Sequence, residues 1–177
     1  MYKTKLINRI DNGKGYWEYL NIGIFYDDKQ IGSYVYNYGS GAPFCAFSQN
    51  GKDYAVYSKD YTTTRVMELP SCKDIGGEEP NEWGFCPVEL YVPEKSNGKF
   101  GFVSGCVWGF DSGGWYIKYL DLSDVMNMKR IDKYNGLQIP DVSLKVYVDE
   151  NFYILSKEDI TDDDIKQLPC YRDDDDD

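Results

Sequence analysis

Apolar and polar residues alternate along several short segments of the chain. The clearest alternation runs through residues 31–38, 115–120 and 142–148, which are rich in tyrosine, valine and isoleucine. A two-residue period of β-branched and aromatic side chains predicts half-buried β-strands. Residues 88–92 form a shorter apolar segment with a proline on each side, which favours a strand at the edge of a sheet. The pattern therefore predicts a chain made mainly of strands.

Asn-Gly dipeptides divide these strand-like segments into hairpins. They begin at Asn12, Asn50, Asn97 and Asn135, so that successive sites lie 38, 47 and 38 residues apart. Both residue types tolerate the positive φ angles of a type I′ turn, and the pair is a strong hairpin signal. A spacing near 40 residues is also typical of a propeller blade. We predict an all-β or β-dominated fold of antiparallel hairpins, arranged as a sandwich or as a compact propeller-like repeat.

Helical signals are confined to two places. Residues 122–129 predict one or two helical turns after a serine cap at Ser123, because a serine hydroxyl satisfies the first amide groups of a helix. Ser156 and Thr161 are each followed three residues later by an aspartate, which resembles a capping box. We therefore predict a short C-terminal helix that ends before Pro169.

The acidic surplus of the chain is concentrated near its C-terminus. The 177 residues include 30 acidic and 19 basic ones, a formal net charge of −11. Residues 150–177 account for −8, with 11 acids and 3 bases, whereas residues 1–149 account for only −3. A run of aspartates cannot pack into a core. We predict one β-rich domain over residues 1–172 and a disordered acidic tail over residues 173–177.

Composition excludes several classes of function. The chain contains no histidine, which excludes catalytic and metal sites built on imidazole. The negative charge disfavours direct binding to nucleic acid or to anionic lipid. The chain begins with polar and charged residues, no apolar run is long enough to cross a membrane, and the five cysteines have no CxxC spacing. We expect a cytoplasmic protein with reduced thiols, no cofactor and no metal.

Two segments carry the candidate site. Residues 73–84 are predicted to be a long acidic loop, and residues 106–116 combine glycines with aromatic side chains. Carboxylates attract a basic partner and aromatic side chains supply anchor contacts. The alternatives are a solvated loop for the first segment and, for the second, a hairpin tip with tryptophans paired across the strands. The predicted partner-binding residues are Glu78, Glu79, Glu82, Trp83, Asp111 and Trp115.

The sequence leaves three hypotheses for function. The first is a non-enzymatic acidic protein that inhibits a basic, nucleic-acid-processing protein, of the immunity or anti-defence type. The second is a carbohydrate- or small-ligand-binding β-domain that uses Trp108, Trp115 and Asp111. The third is a hydrolase without histidine that uses a pair of carboxylates, whose separation depends on the fold. We expect the first, because no nucleophile motif accompanies the acidic residues.

Overall fold

The computed structural model describes residues 1–11, 19–37, 42–60, 62–77, 85–107 and 115–131, and strands dominate them. The eleven strands of this part are β1 (Tyr2–Ile10), β2 (Tyr19–Tyr26), β3 (Lys29–Tyr36), β4 (Phe44–Gln49), β5 (Lys52–Ser58), β6 (Thr64–Leu69), β7 (Lys73–Gly77), β8 (Phe85–Tyr91), β9 (Phe100–Val107), β10 (Trp115–Asp121) and β11 (Lys129–Ile131). Two 3-10 helices cover Glu94–Ser96 and Val125–Asn127.

The strands form three antiparallel sheets, each built from strands that follow one another along the chain. Sheet I has the order β1-β2-β3, sheet II the order β4-β5-β6-β7, and sheet III the order β8-β9-β10-β11. The β-dominated, antiparallel part of the prediction is confirmed. The predicted C-terminal helix and the tail of residues 173–177 lie outside the described residues. Within the described ranges, no helix is long and apolar enough to cross a membrane.

Asn-Gly turns stand at equivalent places in sheets II and III. Asn50 and Gly51 have φ angles of 52° and 74° and join β4 to β5, while Asn97 and Gly98 have φ angles of 51° and 71° and lie just before β9. Each turn therefore leads into the second strand of a four-stranded sheet. The dipeptides that begin at Asn12 and Asn135 include residues outside the described ranges.

The turn between β2 and β3 uses no glycine. Asp27 and Asp28 adopt φ angles of 45° and 66°, which aspartate tolerates better than most residues. The carboxylate of Asp28 accepts a hydrogen bond from the Lys3 ammonium group, which holds the pKa of that carboxyl below its ordinary value. This hairpin was not predicted, because an Asp-Asp pair is a weaker turn signal than Asn-Gly.

Sheet II lies between the other two sheets and buries both of its faces. Strand β5 contributes side chains to both faces of sheet II, because successive side chains of a strand point to opposite faces. Ala55 and Tyr57 pack with Ile24 of sheet I. Tyr54 and Val56 belong instead to a cluster that includes side chains of sheet III. The members of that second cluster from sheet III and the turns beside it are Leu90, Val92, Val103, Leu120, Leu122, Val125 and Met128.

The first strands of the three sheets are neighbours. Strand β1 contacts β4, and β4 contacts β8. The buried amide of Gln49, at the end of β4, donates hydrogen bonds to the carbonyl oxygens of Gly98 (2.7 Å) and Leu122 (2.8 Å). These bonds fasten sheet II to sheet III at one end of their interface.

Two features of the predicted local structure were wrong, namely the loop at residues 73–77 and the serine cap of the helical turn near residue 125. Residues 73–77 of the predicted acidic loop form the edge strand β7, in which Ile75 packs against the core between sheets II and III. Charged residues and glycines are typical of loops, so the sequence of this segment does not indicate a strand. The strand pairs with β6 and the ladder contains a bulge. The helical turn near residue 125 is a 3-10 turn, and its cap is Asp124, whose carboxylate accepts a hydrogen bond from the Met126 amide. The hydroxyl of Ser123 donates to Asp121 instead.

Candidate functional site

Most residues of the site that the sequence predicts lie outside the described ranges. Trp115 is the first residue of β10, and its backbone pairs with Cys106 of β9. Nothing further is described of its side chain, so the predicted site stays a prediction. The predicted site residues that lie outside the described part of the chain are Glu78, Glu79, Glu82, Trp83, Trp108 and Asp111.

The described residues form a different candidate site, a cleft of about 710 Å³ beside strands β1 and β4. The cleft is open to solvent, and its volume is in the range of known ligand sites. Its lining includes residues 1–4 and residues 44–48. Tyr26, Asp53 and Glu94 complete the lining. We refer to this feature as the β1–β4 cleft.

Two hydroxyl groups orient a carboxylate in the cleft. The Ser48 hydroxyl donates to Oδ1 of Asp53 at 2.6 Å, and the Tyr2 hydroxyl donates to Oδ2 at 3.1 Å. Ser48 and Asp53 are cross-strand partners in the hairpin around the Asn-Gly turn, which places their side chains on the same face. Burial and the hydrogen bond to Asp53 raise the pKa of Tyr2 to about 12, so its phenol remains a donor near neutral pH.

Asp53 and Glu94 differ from the other acidic groups near the cleft because neither is paired with a cation among the described residues. The terminal amino group pairs with Asp27, and Lys3 pairs with Asp28. Asp53, by contrast, accepts hydrogen bonds from two neutral hydroxyls. Within the described part of the chain, neither Asp53 nor Glu94 takes part in an ion pair. The two cations that line the cleft, the terminal amino group and Lys3, are therefore paired with Asp27 and Asp28 rather than with Asp53 or Glu94.

Aromatic rings lie beside these carboxylates. The rings of Tyr2 and Tyr26 are 4.7 Å apart between centroids and inclined at 47°. Phe44 and Phe47 of β4 also line the cleft, and Tyr26 is exposed to solvent. Aromatic faces attract cations and also stack on apolar surfaces of ligands. The combination suits a ligand that carries a positive charge and some apolar surface.

Part of this site was within reach of the sequence. Tyr2, Thr4 and Leu6 alternate with lysines, which is a strand signal that corresponds to β1. The Asn-Gly turn also fixes the register that places Ser48 opposite Asp53. The hydrogen bond between Tyr2 and Asp53 joins residues 51 positions apart, and no local pattern predicts such a contact.

Comparison with known proteins adds no relative. No protein-family model, no curated protein and no solved structure matches this chain. The described residues also contain no group of three or more cysteine, aspartate and glutamate side chains that is able to hold a metal ion.

Proposed function

We propose that this protein is a non-enzymatic binding protein that inhibits a basic protein partner, of the immunity or anti-defence type, and that the partner occupies the β1–β4 cleft. The observation that carries the proposal is the pair of carboxylates, Asp53 and Glu94, which line a cleft with aromatic side chains and take part in no ion pair among the described residues. A partner with lysine or arginine side chains supplies a cation for them. Inhibition then follows from occlusion of the partner's basic surface.

The distribution of charge along the chain also supports a basic protein partner. The described residues carry 13 lysines and arginines and 11 aspartates and glutamates, a net charge of +2. The other 72 residues carry 19 acids and 6 bases and therefore account for −13. Among those acids are Glu78, Glu79, Glu82 and the five aspartates of residues 173–177. We infer that these residues attract a basic partner over long range, while the cleft provides short-range contacts.

We also propose that the sheets are arranged radially, as in a propeller. Consecutive sheets are built from consecutive strands, and the first strands β1, β4 and β8 contact one another in that order. In a radial arrangement these first strands lie nearest the axis. The β1–β4 cleft then opens on the axis, where a ligand contacts two sheets at once.

Binding to a panel of basic and acidic proteins tests the proposed function. We expect basic proteins to bind, and we expect their affinity to fall by at least tenfold between 50 and 300 mM salt, because exposed charges are screened. Removal of residues 173–177 is expected to slow association and to leave the fold intact. Equal affinity at both salt concentrations, or equal binding of acidic proteins, would overturn the proposal.

A second candidate function is the binding of a carbohydrate or another small ligand. The volume of the cleft and the exposed Tyr26 beside the Asp53 carboxylate favour it, because sugars stack on aromatic rings and donate hydrogen bonds to carboxylates. Calorimetry with a panel of saccharides and nucleotides separates the two functions. Saccharide binding that Tyr26→Ala abolishes, together with no response to basic proteins, would replace the first proposal with the second.

A further inference from the structure

The two Asn-Gly turns of the described chain have the same local sequence and nearly the same backbone conformation. Each continues with a lysine, as Asn50-Gly51-Lys52 and as Asn97-Gly98-Lys99. The φ angles of the two asparagines are 52° and 51°. Any difference in the chemistry of the two turns in the folded protein therefore comes from their surroundings.

An Asn-Gly pair contains both partners of a ring-closing reaction. The backbone nitrogen of the glycine, once it loses its proton to water or hydroxide, attacks the side-chain carbonyl carbon of the asparagine. An N–Cγ bond forms, the Cγ–Nδ2 bond breaks, and the nitrogen leaves as ammonia. Water then opens the succinimide ring to give aspartate or isoaspartate, so the net reaction consumes water and releases ammonia. The reaction needs a glycine amide that is not otherwise bonded and a turn that is able to rotate.

The turn at Asn50 meets both requirements. Asn50 and Gly51 are exposed, and a Cβ placed at Gly51 has nothing within 4 Å. Within the described residues, no hydrogen bond holds the Gly51 amide or the Asn50 side chain. The strands on either side are paired as far as Gln49 and Lys52, so that only the two turn residues have to rotate.

Three contacts hold the turn at Asn97. The amide of Gly98, which is the attacking group in this turn, donates a hydrogen bond to the Ser96 hydroxyl at 3.2 Å. The Gly98 carbonyl accepts a hydrogen bond from the buried Gln49 amide at 2.7 Å. A Cβ placed at Gly98 lies 2.6 Å from the Ser48 carbonyl oxygen, so the turn packs against β4. Rotation of this turn breaks these contacts, which raises the free energy of local opening.

We propose that Asn50 is a site of spontaneous modification, at which the folded protein accumulates aspartate and isoaspartate, and that the contacts of Gly98 protect Asn97. This inference goes beyond the proposed function and does not rest on it. Isoaspartate routes the main chain through the side-chain carbonyl and adds a methylene group to the turn. A two-residue turn fixes the register of its hairpin. The extra atom therefore disturbs the pairing of Ser48 with Asp53, which orients a carboxylate of the β1–β4 cleft.

Peptide mapping of the aged protein tests the site. The full chain is incubated at pH 8 and 37 °C, digested with chymotrypsin and analysed by mass spectrometry. The chymotryptic peptides 48–54 and 92–100 each end at an aromatic residue and each contain one asparagine. We expect conversion of Asn50 to be about tenfold faster than that of Asn97, or more. Equal rates, or faster conversion of Asn97, would overturn the proposal.

Two controls separate the effect of the fold from the intrinsic reactivity of each sequence. In concentrated urea the two rates are expected to be nearly equal, because both asparagines precede Gly-Lys. Ser96→Ala removes the acceptor of the Gly98 amide and is expected to speed conversion of Asn97 by about twofold to tenfold, the range that one hydrogen bond gives. Conversion of Asn50 is expected to stay unchanged in this variant. The same ratio of rates in urea as in the folded protein, or no change at Asn97 in Ser96→Ala, would contradict protection by the fold.

The stability of the product tests the effect on the hairpin. Asn50→Asp is the matched control, because it introduces the new charge without the extra methylene group and aspartate tolerates a positive φ. We expect the isoaspartate form, separated from the aged protein by ion exchange, to unfold at a lower temperature than Asn50→Asp. Equal unfolding temperatures for these two forms would overturn the proposed disturbance of the β4–β5 register.

Discussion

The two interfaces of sheet II are built from different kinds of side chain. Towards sheet III most of the buried side chains are aliphatic, with Phe47 and Tyr54 among them, and Val56, Val66 and Leu120 are completely buried there. Towards sheet I the interface includes tyrosines and carboxylates, and it opens into the β1–β4 cleft. Strand β5 contributes to both interfaces, because its alternate side chains point in opposite directions. One interface holds the sheets together, and the other also contains the cleft that we propose as the binding site.

A hydrogen-bonded cluster accounts for the polar character of the face towards sheet I. Asp74 accepts hydrogen bonds from the Arg65 guanidinium group, at 2.9 Å from Nε and 2.6 Å from Nη2, and from the Tyr57 hydroxyl at 2.7 Å. Burial acts to raise the pKa of Asp74, but the hydrogen bonds from Arg65 and Tyr57 outweigh it and lower the pKa. This network places a charged pair on the face towards sheet I, whereas the buried Gln49 amide at the interface with sheet III bonds to carbonyl oxygens.

The largest effect is expected in the aliphatic interface. Leu120→Ala removes a fully buried side chain and leaves a cavity, so we expect the free energy of unfolding to fall by about 2–5 kcal/mol. Leu6→Ala is the control on sheet I, where 49% of the Leu6 side chain is exposed, and its effect is expected to stay below about 1 kcal/mol. Urea unfolding measures both. Similar losses in the two variants would contradict the proposed division between the interfaces.

The two Asn-Gly turns provide the next comparison. Gly98 and Gly51 have nearly equal φ angles of 71° and 74°, so an alanine is strained to a similar extent at each, by about 1 kcal/mol. A Cβ at Gly98 lies 2.6 Å from the Ser48 carbonyl oxygen, whereas one at Gly51 has nothing within 4 Å. We expect Gly98→Ala to cost about 1–3 kcal/mol more than Gly51→Ala. Equal unfolding midpoints would show that the Gly98 turn does not pack tightly on β4.

Acid is expected to weaken the polar interface. The pKa of Asp74 is lowered in the folded protein, so its contribution to stability is complete above the ordinary carboxyl pKa of about 4 and is lost as the pH falls through the folded value. Asp74→Asn should therefore reduce the difference in stability between pH 7 and pH 3. Asp28→Asn is the exposed control and is expected to reduce it less, because solvent screens that ion pair. If Asp74→Asn loses as much stability between pH 7 and pH 3 as the parent protein does, Asp74 does not account for the sensitivity to acid.

The smallest effect is expected from a single hydroxyl. Tyr2→Phe removes the hydrogen bond to Asp53, and we expect a loss of about 0.5–1.5 kcal/mol in unfolding free energy. Tyr26→Phe alters the neighbouring ring, which is exposed, and is expected to change stability by less than about 0.5 kcal/mol. Thermal unfolding of the two variants measures the difference. A larger effect in Tyr26→Phe would show that the Tyr2 hydroxyl does not stabilise the interface.

Local signals in the sequence accounted for many of the strands. The alternation of residues 31–38 and 115–120 corresponds closely to β3 and β10, and the turn at Asn50 joins β4 to β5. Strand β7 was missed because Gly76 and Gly77, with positive φ angles, resemble a loop in the sequence. The stacking of the sheets and the contact of β1 with β4 depend on distant residues, so no local pattern predicts the cleft.

Charge reversal at the exposed end of the cleft tests the central claim most directly. Glu94 is exposed on a short 3-10 helix, so Glu94→Lys is expected to fold like the parent protein. The measurement is the affinity of Glu94→Lys for a basic protein and for an acidic protein, with Glu68→Lys on β6 as the control. We predict at least a tenfold loss for the basic protein and a gain for the acidic protein, in Glu94→Lys alone. Unchanged affinities for both proteins would contradict the assignment of the β1–β4 cleft as the site for a basic partner.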